Sequence, residues 1–194
     1  MNPGGESHKL NLMQDLDILR YPLGNFDFGR PYSTADTKRH IATIDQFPVK
    51  LTELVGKWSD DRLDTPYRPD GWTVRQLVHH VADSHMNGYV RTKLALTEDN
   101  PTIKPYGEGE WANLPDSRLD VGPSLVLLRN LHQRWVAVLD SLSETDLHRT
   151  FLHPGSGRTF TLTEQVAQYA WHSEHHYQHV YRLAERNGWL MNTV

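Results

Sequence analysis

The chain has 194 residues, 38% of them hydrophobic and 23% charged, with a formal net charge of -4 at pH 7 and no cysteine. That length suits one domain with a sizeable core, while the charge balance and the lack of a long Lys/Arg run argue against nucleic acid as the main partner. Without cysteine there are no disulfides, thiolate ligands or cysteine nucleophile, so a metal would need histidine, carboxylate or water, and any thiol must come from a substrate.

No apolar run approaches the roughly 20 residues of a membrane helix. The opening Met-Asn-Pro-Gly-Gly-Glu lacks the basic-then-apolar order of a secretory signal, so the expectation is a soluble, cytoplasmic protein with no membrane partner.

Residues 1–30 carry Pro3, Gly4, Gly5, Pro22, Gly24 and Gly29, too many breakers for a long helix. They are predicted to form an extended arm with a short helical turn around Leu16 to Arg20. Ser33 and Asp36 then cap a first long helix with apolar positions Ile41, Ile44, Leu51, Leu54, Val55 and Trp58, bent or interrupted near Pro48. Asp64 to Trp72 is a loop by its two prolines. A capping box of Thr73 and Gln76 opens a second helix on the stripe Val74, Leu77, Val78 and Val81, running to about Thr97.

Pro101 to Pro123 is a long connection, and one of that length is functional or crosses the end of a bundle. Its Tyr106 and Trp111 are candidates to wall an active site. Ser124 is predicted to open a third helix through Leu128, Leu131, Trp135 and Leu139. A short turn at Ser143 to His148 and a tight hairpin-like loop around Pro154-Gly155-Ser156-Gly157 follow. Thr161 and Glu164 cap a fourth helix that Gly188 ends. Four long helices with no strong strand pattern make an all-α four-helix bundle over residues 31–194.

Four of the twelve histidines fall between His172 and His179 in the fourth helix. His172 and His176 are one turn apart, on or beside the stripe of Leu162, Val166, Tyr169, Ala170, Val180 and Leu183, so two imidazoles face the interior together. Glu174 projects to the other side, and the His-Glu-x-x-His pattern of a metalloprotease is absent. Catalytic zinc sites usually have three protein ligands, and the second helix offers His79, His80 and His85. His80 lies at the edge of its apolar stripe, with Ser84, Asn87 and Arg91 following at helical spacing; His79 points outward.

The plainer reading makes the paired histidines hydrogen-bonded core residues. His79 and His175 are expected to be exposed or to stand behind the ligands, and His85 and His179 to line a pocket or orient a ligand. Asp83 and Arg91 form an ion pair by default; the alternative is that Arg91 holds a substrate carboxylate. Arg91, Asn87 and His179 are the candidates for catalytic roles.

The segments Asp64-Thr65-Pro66-Tyr67-Arg68, Gly71-Trp72-Thr73-Val74-Arg75-Gln76, Val78-His79-His80-Val81-Ala82-Asp83-Ser84-His85 and Trp171-His172-Ser173 with His175-His176 resemble the DinB-like superfamily. Within it they look most like the YfiT branch, described first as metal-dependent hydrolases and then as bacillithiol S-transferases. The resemblance runs from about Tyr21 to Trp189. It implies a four-helix bundle that forms a homodimer and binds one divalent ion per subunit, zinc or nickel, through His80, His172 and His176. The chain departs from the family's His-Ser-His-His-His in having Glu174 as its third residue, a change expected at the surface.

The implied chemistry is activation of a low-molecular-weight thiol, bacillithiol or another, for attack on an electrophilic small molecule. Hydrolysis by activated water at the same site is the alternative, weakened by the lack of a carboxylate to serve as general acid or base. A third reading is a non-catalytic metal-binding stress protein.

Overall fold

The computed structural model describes residues 16–190. The Pro3-Gly4-Gly5 stretch of the arm lies outside them. Residues 16–20 form the expected helical turn, and from there the chain runs back along α7, past Arg182, His179 and Trp171, to Ser33.

The long helices are α1 (Thr34–Val55), α3 (Val74–Thr97), α5 (Gly122–Leu139) and α7 (Leu162–Arg186), with short helices α2 (Asp60–Leu63), α4 (Glu108–Trp111) and α6 (Glu144–Leu147) between them. Each of α1, α3 and α7 starts at a capping box: Ser33 with Asp36, Thr73 with Gln76, Thr161 with Glu164. α5 begins two residues before Ser124. Pro123 fits a first helical turn, where no N–H is needed, and the Asp120 carboxylate accepts the Gly122 N–H at 2.7 Å. Ser124 directs its hydroxyl to His79 instead.

α1 packs on α5 and α7, and α3 packs on the same two, so α1 and α3 are diagonal across the bundle, as are α5 and α7. The core inside this square holds Ile44, Phe47, Leu51, Leu77, Val78, Leu128, Trp135 and Val180, all fully buried. α3 and α7 touch closely at Gly88, where an added Cβ would stand 2.5 Å from the Tyr169 ring and 2.7 Å from that of Trp135.

Pro48 neither breaks nor interrupts α1, which is continuous from Thr34 to Val55. Proline has no N–H to give the carbonyl four residues back. That carbonyl belongs to Ile44, and it accepts a hydrogen bond from His132 Nδ1 at 2.6 Å. A side chain from α5 thus replaces the missing helical donor.

The hairpin-like loop is a two-stranded antiparallel sheet, β1 (Thr150–His153) and β2 (Arg158–Thr161), with Phe151 opposite Phe160. Gly157 at φ 66° makes its turn. The long connection is tied to it: Leu152 N–H donates to Pro101 O and Ile103 N–H to Leu152 O. From there the 98–121 segment runs back along α3, its Ala112 and Leu119 carbonyls accepting from Gln76 and Arg75 at the start of that helix. Among the described residues no helix is long and apolar enough to cross a membrane.

Candidate metal centre

α3 and α7 are neighbours in the square, which brings the two histidine blocks together. One ring nitrogen from each of His80, His172 and His176 lies within 4.8 Å of the others. Their ring centroids are 5.5 Å apart for His80 and His172, 5.0 Å for His80 and His176, and 4.4 Å for His172 and His176. Trp72, in the loop before α3, packs on His80 at 4.6 Å.

Burial holds all three imidazoles neutral. His80 is pushed down to about 4 by loss of solvent, and His172 and His176 fall well below their ordinary value, first through loss of solvent and then through repulsion from neighbouring histidines. Neutral imidazole is the form that binds a metal. Three neutral nitrogen donors, close together and not spent on hydrogen bonds to backbone, fit a zinc- or nickel-type ion.

A chain of hydrogen bonds stands behind His172. His172 Nδ1 lies 3.2 Å from His85 Nε2, His85 Nδ1 lies 2.7 Å from His132 Nε2, and His132 Nδ1 lies 2.6 Å from Ile44 O. A carbonyl only accepts, so His132 Nδ1 carries a proton; its neutral ring then accepts at Nε2 from His85 Nδ1–H. The same logic gives His85 Nε2 a lone pair, which accepts from His172 Nδ1–H. Nε2 of His172 is left free to bind an ion. His132 is pushed down to about 4 by burial, and His85 well below the usual value by burial and then by its histidine neighbours, so neither link is charged near neutral pH. His85 is thus an orienting residue. His132 was not singled out in the sequence, although its position four residues from Leu128 on the buried face of α5 was a usable signal.

His172 also lines a cavity of about 250 Å³. Arg91, Tyr106, Glu108 and His153 bring polar groups to it, and Phe28, Phe151 and Phe160 form an apolar wall. Arg91 Nε, Tyr106 Oη and His153 Nδ1 are all buried without hydrogen-bond partners. Glu108 is exposed as a residue, yet its carboxyl is raised by loss of solvent on the cavity side, against the pull of Arg91. No local pattern pointed to Glu108 or His153, because a loop and a hairpin far apart in the chain carry them to the wall. Phe28 shows that the arm takes part as well.

Arg91 and Tyr106 line this cavity, and Trp111 backs Tyr106 at 4.5 Å. Other expectations need correction. Asn87 donates to the Asp83 carbonyl within its own helix and does not line the cavity. His179 does not line the cavity, and its Nε2–H donates to Arg20 O. Asp83 and Arg91 form no ion pair; Asp83 is raised to about 6 by burial and then by Asp116. His79 and His175 are buried: His79 Nδ1 pairs with Ser124 Oγ at 2.8 Å and its Nε2 with Leu119 O at 3.1 Å, and His175 stacks on Trp171 at 4.4 Å. Glu174 does face away from the histidines, pairing with Lys50 of α1 at 2.5 Å.

The sequence profile of the DinB superfamily matches residues 43–180, which run from within α1 to the last third of α7 and include His80, His172 and His176. The chain belongs to the DinB superfamily. A Bacillus cereus protein named as a candidate metal-dependent hydrolase is 52% identical over 174 residues, covering 90% of this chain and 100% of its own length. A Bacillus anthracis protein of the same name matches at the same identity and coverage. Among solved structures, YfiT from Bacillus subtilis, described as a probable metal-dependent hydrolase with an unusual four-helix bundle topology, superposes with a TM-score of 0.86 at 44% identity, covering 89% of this chain and 99% of its own. In this DinB chain the diagonal placement of α1 and α3, and of α5 and α7, departs from a simple up-and-down bundle. A mycothiol-dependent maleylpyruvate isomerase shares the fold at 21% identity and a TM-score of 0.55 over 74% of this chain.

Proposed function

We propose that His80, His172 and His176 hold one divalent ion, zinc or nickel, and that the protein is an enzyme activating a low-molecular-weight thiol for S-transfer to an electrophilic small molecule. Bacillithiol is the thiol that the family resemblance implies. The observation that carries the reading is the double membership of His172, which belongs both to the histidine cluster and to the wall of the 250 Å³ cavity. A divalent ion held there would supply a Lewis acid that favours the deprotonated form of a bound thiol near neutral pH.

The chain's own residues set the conditions. Three neutral donors contribute no negative charge, so the centre keeps its attraction for an anionic sulfur. Arg91 offers a partly buried guanidinium to a carboxylate on thiol or electrophile. Phe28, Phe151 and Phe160 keep water from one side of the cavity, which limits competing hydrolysis.

Glu108 favours a second reading. A carboxyl raised by burial, beside the same cavity, can hold and pass a proton, as a hydrolase requires. The two readings separate on the metal-loaded protein. Thiol transfer gives a metal-dependent conjugate with a chlorodinitrobenzene and a thiol panel; hydrolysis gives turnover of a generic ester without thiol. Glu108→Gln should lower ester turnover by about 100-fold or more if that carboxyl is the acid–base group, and leave conjugation within a few-fold. No conjugate with any thiol removes the transfer reading. A homodimer is part of the proposal, tested by sedimentation of the metal-loaded protein at twice the chain mass.

A further inference from the structure

α7 carries a second convergence of histidines beside the first. One ring nitrogen from each of His175, His176 and His179 lies within 4.8 Å of the others, and all three residues are buried. The Nδ1 atom of each is buried with no hydrogen-bond partner. A buried polar atom left unpaired costs about 1–3 kcal/mol, so three in one group are a standing cost that a shared ligand would relieve.

The donors are prepared in other ways. His179 Nε2–H donates to Arg20 O at 3.1 Å, a carbonyl that only accepts, so its Nδ1 bears a free lone pair. Tyr67 stacks on His179 at 4.2 Å and Trp171 on His175 at 4.4 Å, which fixes both ring planes. His175 and His179 are one helical turn apart and so are neighbours on the helix surface. Neither takes part in the hydrogen-bond chain that ends on Ile44.

We propose that His175, His176 and His179 form a second metal site, taking a divalent ion that prefers imidazole nitrogen, such as zinc, nickel or copper, with His176 shared between the two sites. When both are filled, His176 loses its ring N–H proton to solvent and binds one ion through each nitrogen; no electron transfer is involved.

The test counts ions on the metal-free, full-length protein as zinc is raised. The unaltered protein should reach two ions per chain, with a proton released into a weakly buffered solution as the second binds. His175→Gln and His179→Gln should each stop at one. His80→Gln should retain an ion at the second site, and adding His179→Gln should weaken that ion at least tenfold. A plateau of one ion per chain in the unaltered protein overturns the proposal, as do two ions that survive both His175→Gln and His179→Gln. The count on the unaltered protein decides even if a variant fails to fold, which far-UV circular dichroism would reveal.

Discussion

A single proton position organises the candidate centre. Because the Ile44 carbonyl can only accept, the protons of His132, His85 and His172 all fall on Nδ1. His132→Leu should therefore free His172 to exchange tautomers and lower metal affinity by about 10- to 100-fold, measured by competition with a chromogenic chelator. His132→Gln, which keeps a donor and an acceptor, should recover part of that loss. The ring nitrogen shifts of His172 in the metal-free protein make the distinction from simple loss of packing: one tautomer in the unaltered protein and a mixture in His132→Leu. Arg91→Met should raise KM for carboxylate-bearing substrates while kcat changes less, the mark of a group that binds and does not react.

At the scale of elements, α3 and α7 owe their contact to a residue without a side chain. Alanine is intrinsically the better helix former at position 88 by about 1 kcal/mol, yet its Cβ would have to displace the rings of Tyr169 and Trp135. Overpacking wins, and Gly88→Ala should destabilise by about 1–3 kcal/mol in urea melts. The helices themselves were legible because capping boxes and apolar stripes are local signals: Thr73 with Gln76 and Thr161 with Glu164 start α3 and α7 where expected. His80, His172 and His176 could be placed facing inward for the same reason, since helical spacing alone fixes the direction. The cavity wall was not legible. Glu108 sits on a four-residue helix in a loop, His153 at the end of a short strand and Phe28 on the arm, and no periodicity links them. The bond from His132 to Ile44 was likewise hidden, although Pro48 marked which carbonyl would lack its helical donor.

For the molecule as a whole, burial of neutral histidines ties stability to pH. His132 is pushed down to about 4 from 6.5 by burial. Above pH 6.5 neither the folded nor the unfolded chain holds this proton, and its contribution to stability is fully present. Between about 6.5 and 4 the unfolded chain takes up the proton and the folded chain does not, so stability falls as pH falls, by up to about 1.4 kcal/mol per pH unit for each such residue. The metal-free protein should melt at progressively lower temperature across that window, and His132→Leu should flatten the slope. The hydrogen-bonded chain also has a wider reach. It takes His172 from α7, His85 from α3, His132 from α5 and a carbonyl from α1, one member from every long helix. Loading the centre therefore requires the entire bundle to be assembled: stripping the ion with a chelator should quicken amide exchange around residue 44, on the one long helix that lends the hydrogen-bonded chain a carbonyl and no histidine.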